Sequence, residues 1–330
     1  MYKLFIAILL TLIGSTTGSP VRFSKAEGKL TITHFNITFA PDLSNRVNPK
    51  LYKRPLNDLE LLQIISGKLH PDILNYRRSQ NQHDRLLVDF INKGLISQYG
   101  VHTDKLLIDL GDPGKFPNQL ARINYIMMDK PPKRTLAQDI AGMNREFDRV
   151  YNKAIKDNVG ADIWTYLDQG IDDKNVFADE KPVQDADNDI VYVNHFRNVL
   201  ILPTDGYIEA GIFGKGFDLG QQTINRFRNA FLASGGTDLQ KFFRKNPSYH
   251  IKPVHNERLK HLEILILEMY DRSLTAAGSA TVHPTDVEIM KLFWSDWLQQ
   301  SGVKHFELHP CANSKDEAQK TVINFLGVNK

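Results

Sequence analysis

Cysteine is nearly missing from this chain. Cys311 is the only one in 330 residues, so no disulfide can close within it and the fold must rest on its core. Charge of one sign is not in excess either. Lys and Arg number 41 against 38 Asp and Glu, for a formal net charge of +3. That balance gives no electrostatic case for nucleic acid or an anionic membrane as partner. Beyond the N-terminus, no apolar run reaches the roughly 20 residues that span a bilayer. His-Glu-x-x-His and Gly-x-Ser-x-Gly are both absent, which removes two common hydrolase signatures. Internal repeats, low-complexity stretches and long Gly/Ser linkers are also missing. What remains is an ordinary globular composition, 42% hydrophobic and 24% charged, on a chain long enough to bury a large core.

The first residues stand apart. Lys3 precedes a nearly unbroken apolar run from Leu4 to Ile13, and small residues follow through Ser19. A charged start, a short apolar stretch and a small-residue zone together read as a secretory signal peptide over residues 1–19. The expectation is an exported protein, periplasmic or secreted, with no integral membrane segment in its mature chain. Residues 20–330 then form a single domain.

Along that domain, strand and helix patterns alternate. Leu30 to Phe39 alternates and is rich in β-branched and aromatic residues, as strands are. Asn57 to Asn75 reads as a helix capped by Asn57 with Glu60 three residues on. Leu86 to Ile91 fits a strand or a helix, and Leu106 to Leu110 a buried strand. Gly111 to Asn118 is a loop. Leu136 to Lys156 has helical spacing, and Ile163 to Ile171 opens another helix. Residues 172–189 are acidic and polar and read as a surface loop. Asn198 to Thr204 is the clearest buried strand. Gln221 to Ala233 is amphipathic, Tyr249 to Val254 fits a strand, and Asn256 to Ser273 reads as a strong helix. Capping boxes at Thr285/Glu288 and Ser314/Glu317 start two more helices, with a strand over Val303 to Leu308 between them. Such alternation implies an α/β fold with a mostly parallel central sheet and helices on both faces. Ligands in such folds bind beyond the carboxyl ends of the strands. The loops to inspect are therefore 42–46, 111–118 and 205–209.

Two of these loops hold oxygen donors. Asp42 and Ser44 follow the first strand, and Asp205 follows the best buried one. Two carboxylates and a hydroxyl at strand ends suit a hard divalent cation, because magnesium and calcium take oxygen ligands. Taken singly, each has a plainer reading: Pro41-Asp42 as a turn, Ser44 as a cap, Asp205-Gly206 as a turn dipeptide.

Asp42-Leu43-Ser44-Asn45-Arg46 resembles the Asp-x-Ser-x-Ser start of the metal-ion-dependent adhesion site of von Willebrand factor A-like (vWA) domains. Leu200-Ile201-Leu202-Pro203-Thr204-Asp205-Gly206 resembles the strand of that family that ends in Thr-Asp-Gly. The resemblance covers roughly residues 30 to 328. It implies a three-layer, Rossmann-like vWA fold, with a helical insertion at 47–82. It also implies a Mg2+ (or Mn2+/Ca2+) site of Asp42, Ser44, Thr165 and Asp205, with Asp162 as the substitute for Thr165. A metal in such a site bridges the domain to a carboxylate of a protein ligand, and catalysis is not usual. The pattern departs at Arg46, where the family has Ser. An arginine there either points away or fills the pocket in place of the metal.

Other features rank lower. Gly211 to Gly220 is glycine-rich but does not read Gly-x-Gly-x-x-Gly, and is better taken as a flexible loop than as a nucleotide cradle. Cys311, two residues after His309, is a buried small residue sooner than a nucleophile. Asn36-Ile37-Thr38 matches a glycosylation acceptor but falls in an expected strand. The leading expectation is a protein-binding module. The alternative is a metal-dependent, phosphatase-like hydrolase with Asp42 as nucleophile or ligand. Ser44 counts against that alternative, because the haloacid-dehalogenase-type start has Asp there.

Overall fold

A computed structural model describes residues 28–77, 81–128, 134–157, 160–180, 182–185, 190–209, 218–275 and 277–328. Residues 1–19, expected to be a signal peptide, and most of the Gly211–Gly220 stretch lie outside the described residues. Strand β1 (Gly28–Phe39) leads to helix α1 (Asp58–Gly67), strand β2 (Arg85–Val88), the short helix α2 (Gly94–Gln98) and strand β3 (Leu107–Asp109). Helices α3 (Gln119–Met127), α4 (Leu136–Lys156) and α5 (Ile163–Thr165) follow. After them come β4 (Val183–Asp185), β5 (Ile190–Pro203), α6 (Gln221–Ala233), α7 (Leu239–Arg244), β6 (Leu262–Met269), α8 (Asp286–Gln300), β7 (His305–Pro310) and α9 (Lys315–Leu326).

The strands form one sheet in the order β3-β2-β1-β5-β6-β7, with β4 paired to β5. The pairings β2/β1, β1/β5, β5/β6 and β6/β7 are parallel, whereas β3 and β4 run antiparallel to their partners. With β4 set aside, the chain builds the sheet outward from β1 in one direction and then, from β5, in the other. That reversal creates a topological switch point between β1 and β5, where open α/β sheets bind ligands.

Two cores fill the spaces on either side of the sheet. Phe35, Ile37 and Phe39 of β1, Val199 and Ile201 of β5, and Leu265 and Leu267 of β6 pack with residues of α1, α4 and α9. Leu200 and Leu202, with Leu262, Ile264 and Ile266, pack against residues of α6, α7 and α8. Successive strand residues thus serve opposite cores, as the pleat requires. The other side of β1 is polar. His34, Asn36 and Thr38 are all fully buried, and Asn36 Nδ2 donates to Asn198 Oδ1 and to the Asn175 carbonyl, both at 2.9 Å. A glycan on Asn36 Nδ2 would break these bonds and has no room in this fold.

Four expectations are corrected here. Asn256–Ser273 is not a helix: a 3-10 turn (Glu257–His261) runs into β6. All eight residues of β6 are buried. A strand covered on both faces presents a continuous apolar run, and the Leu-rich run of 259–269 imitates helical spacing. The helix begun at Asn57 ends at Gly67, not Asn75, because Pro71 lacks an N–H and pushes His70 to extended backbone (φ −123°, ψ 132°). Tyr249–Val254 forms no strand; a 3-10 turn at Pro247–Tyr249 passes into irregular chain. The 172–189 segment is not simply a surface loop. Asn175 is 1% exposed, and Val183–Asp185 joins the sheet. Helices α4 and α8 begin at complete capping boxes, Thr135/Gln138 and Thr285/Glu288. No helix among the described residues is long and apolar enough to cross a membrane.

Candidate functional site

The switch point is built by backbone bonds that outlast the strands. Beyond β1, Ala40 N–H donates to the Ile201 carbonyl (3.0 Å) and Asp42 N–H to that of Pro203 (2.9 Å). Beyond β5, Thr204 N–H donates to Leu267 O (2.9 Å), and Tyr270 N–H, just past β6, to Asp205 O (3.0 Å). The chain ends of β1, β5 and β6 are thereby tied side by side, and the carboxylates of Asp42 and Asp205 come to the same place.

They line a cavity of about 270 Å³ whose wall includes Ser44, Arg46, Tyr52, Asp162, Tyr207, Glu209 and Arg272. Asp42 is 3% and Asp205 5% exposed. Asp42 Oδ1 accepts from Ser44 N–H at 2.9 Å, an Asx turn that orients the loop, and its Oδ2 accepts from the Thr204 hydroxyl at 3.0 Å. Asp205 Oδ1 accepts from Tyr207 N–H at 3.2 Å, and Oδ2 from Arg272 Nη2 at 3.2 Å. Burial, and then the neighbouring Asp42 carboxylate, push the Asp205 carboxyl up to about 6.

Gly206 completes the Thr-Asp-Gly turn for a steric reason. Its φ is +87°, and a Cβ there would sit 3.0 Å from Met290 Sδ and 3.1 Å from Met269 Cε. Its carbonyl accepts from Trp294 Nε1 at 2.8 Å, which pins the turn to α8.

Three of the four expected site residues, Asp42, Ser44 and Asp205, share this cavity. Thr165 does not line it. Its hydroxyl donates to Asp162 Oδ2 at 2.7 Å, and Asp162 takes the position in the wall. Asp162 faces the cavity because it caps the turn that carries Thr165, whose N–H it also accepts at 3.0 Å. Arg46 points inward and is 1% exposed. Its Nη2 meets both Asp58 oxygens at 2.8 Å and the Pro203 carbonyl at 2.9 Å, while Nε lies 4.0 Å from Asp42 Oδ2. Arg46 thus fastens the first loop to the start of α1 and adds positive charge behind Asp42.

Sequence reasoning missed Tyr52, Tyr207 and Arg272. Arg272 stacks on the Tyr207 ring, 3.7 Å from its centroid, and also donates to the Tyr52 hydroxyl. Burial, followed by Asp205, raises the Tyr52 phenol to about 12. The Tyr207 hydroxyl donates to Asp286 Oδ2 at 2.7 Å, within a buried group that includes Arg228. Reading 256–273 as one helix hid the third strand end, on whose loop Arg272 stands.

The wall side chains able to ligate a cation all offer oxygen: Asp42, Asp205, Ser44 and Asp162, the last with both oxygens already accepting from Thr165. Magnesium is commonly held by one or two carboxylates and several waters; here Arg272 binds Asp205 at 3.2 Å and Arg46 lies 4.0 Å from Asp42. Among the described residues, no three His, Cys, Asp or Glu side chains gather closely enough to enclose a metal by themselves. Compared with protein-family models, curated proteins and solved structures, the chain finds no significant match.

Proposed function

We propose that the chain is an exported vWA-like binding module whose ligand site is the cavity at the β1/β5 switch point. The observation that carries this reading is the meeting of Asp42 and Asp205, both buried, from adjacent parallel strands in one cavity. Arg46 and Arg272 attend Asp42 and Asp205, yet with Asp162 and Glu209 the cavity wall holds four carboxylates against two guanidiniums. A divalent cation offsets their repulsion, and it would be held by Asp42 and Asp205 with Ser44 and, through water, Asp162. Its chemistry there is to present an open coordination position to a carboxylate of a protein ligand. The reading is binding without turnover, as the resemblance implies.

Isothermal titration of the chain from about residue 20 onward with Mg2+, Mn2+ and Ca2+, beside Asp42→Ala, tests it. Saturable binding that Asp42→Ala abolishes supports the reading. If none of the three ions binds, the reading falls.

A further inference from the structure

We propose that the outer face of α3 is a docking surface that seats the protein on a bilayer with anionic headgroups. The inference goes beyond the cavity reading and does not depend on it, since no residue of α3 lines that cavity.

The helix is apolar nearly all round, with Leu120, Ala121, Ile123, Tyr125, Ile126 and Met127 among its nine residues. A helix of that composition is normally buried, yet α3 is covered on one side alone. On the inner side, Arg122 is 7% exposed and donates from Nε to the Leu110 carbonyl at 2.8 Å and from Nη1 to Gln119 Oε1 at 2.9 Å. Tyr125 packs on Phe116, 4.9 Å between ring centroids, and donates its hydroxyl to Asp139 Oδ2 of α4 at 2.8 Å. The Asn118 side chain caps the helix by accepting from Ala121 N–H at 2.9 Å. The outer face is therefore held as it stands and needs no rearrangement. On it, Leu120, Ile123 and Met127 recur at i, i+3 and i+7 and are 66%, 38% and 61% exposed. Met128, just past the last turn, is 45% exposed. Nine large apolar side chains stand out into solvent among the described residues, and these four fall within nine positions. Such clustering, unlike single scattered side chains, marks a docking surface.

Charge and residue type decide what docks. From Lys115 to Asp139 the chain carries five basic residues against two acidic ones, Asp129 and Asp139. The remainder is left with 36 of each sign, so the whole formal excess of +3 belongs to this stretch. Lys115 is exposed beside the start of the helix, and Arg134 pairs with Asp139. Leucine and methionine that enter the acyl boundary, next to lysines that meet anionic headgroups, make an interfacial surface. A protein partner suits the face less well. Protein interfaces favour Tyr and Arg and are poor in Lys, and here Tyr125 and Arg122 are turned inward.

The test is flotation of the chain from residue 20 onward, which keeps every described residue. The vesicles are phosphatidylcholine alone, or phosphatidylcholine and phosphatidylglycerol in equal parts. Wild type is expected to bind the anionic vesicles about tenfold or more above the neutral ones and to leave them in high salt. Leu120→Gln with Met127→Gln, its folding checked by its thermal transition, is expected to lose about tenfold or more of that binding. Lys115→Glu, in an exposed loop, gives a second reading and is expected to lose a few-fold. Wild type that floats with neither vesicle overturns the proposal, as does a folded double variant that floats as well as wild type. Equal flotation with both vesicles overturns the choice of anionic headgroups. Sedimentation of the lipid-free chain covers the other occupant. A dimer that the double variant converts to monomer, with no flotation of wild type, assigns the face to a second copy and overturns the membrane.

Discussion

Asp205→Asn is expected to stabilise the folded chain, and by more as the pH rises. In the folded chain, burial and the Asp42 carboxylate hold the Asp205 carboxyl near 6, against an ordinary value of 3.8. A raised acid favours the protonated native state. Its contribution to stability is therefore complete below about pH 3.8 and is lost as the pH rises through 6. A shift of about two units corresponds to about 3 kcal/mol in all. Roughly half of that loss has accrued by about pH 5, and on the order of 1 kcal/mol more accrues between about pH 5 and pH 8. Asparagine does not ionise, yet its side-chain oxygen still accepts from Tyr207 N–H. The difference in stability between variant and wild type must then widen by about 1 kcal/mol over that interval, or about 2–4 °C in Tm. The comparison is made by thermal unfolding followed by circular dichroism, with chelator present, at both pH values. Taking the change in the gap cancels contributions that do not depend on pH, and the Arg272 contact is already contained in the Asp205 value. A gap that stays constant or narrows from pH 5 to pH 8 refutes the assignment of Asp205 as a strained, buried carboxylate. Repeating the melts with millimolar Mg2+ should raise the Tm of wild type alone, since a ligand stabilises only the state that binds it.

Arg46→Ser introduces the serine of the vWA motif that the sequence resembles, but the contacts of Arg46 point to an outcome other than a better site. It leaves Asp58, fully buried, with Arg54 as its one remaining ionic partner among the described residues, and should cost about 3 kcal/mol or more in urea unfolding; a loss under about 1 kcal/mol would show Arg46 to be dispensable. Gly206→Ala forces a Cβ toward the two methionine side chains at positive φ and is expected to cost about 1–3 kcal/mol, read from the same unfolding curves, whereas no change would mean that the turn relaxes freely. Leu265→Ala, in the middle of β6, should lose about 2–5 kcal/mol, and a much smaller loss would argue against a strand buried on both faces. Cys311 donates to the Glu268 carbonyl at 3.4 Å, and burial, with Glu268 nearby, pushes its thiol well above the usual range. A thiol reagent should therefore label it slowly in the native chain and quickly in denaturant; fast native labelling would contradict this.

Elements whose signals are local could be read directly from the sequence. The capping box at Thr285/Glu288 and the stripe Ile140, Met143, Phe147, Ala154 identify α8 and α4, because caps and helical faces depend on neighbours within four residues. Asn198–Thr204 identified β5, since its apolar run is too short for a helix and ends in a turn that only glycine fits comfortably. Asp42, Ser44 and Asp205 were legible as a group because strand ends in a parallel sheet face one way, so residues after different strands can meet. The run around Leu262–Met269 was not legible. Burial on both faces erases the alternation that distinguishes strand from helix, and only the pairing with β5 and β7 decides the matter. The fate of Arg46 was equally hidden, for its partner Asp58 stands at the start of α1 and its third contact, Pro203, comes from the far end of the central strand. Thr165 and Asp162 differ by three residues and one turn of chain, and which of them lines the cavity depends on how that turn packs. Tyr52 and Arg272 are far apart in sequence and carry no motif. Local chemistry thus determined the alternating α/β layout and the oxygen donors at the strand ends. The order of the strands, the inward turn of Arg46 and the placing of Arg272 against Asp205 were decided only by tertiary packing, because each depends on contacts between segments that no spacing along the chain relates.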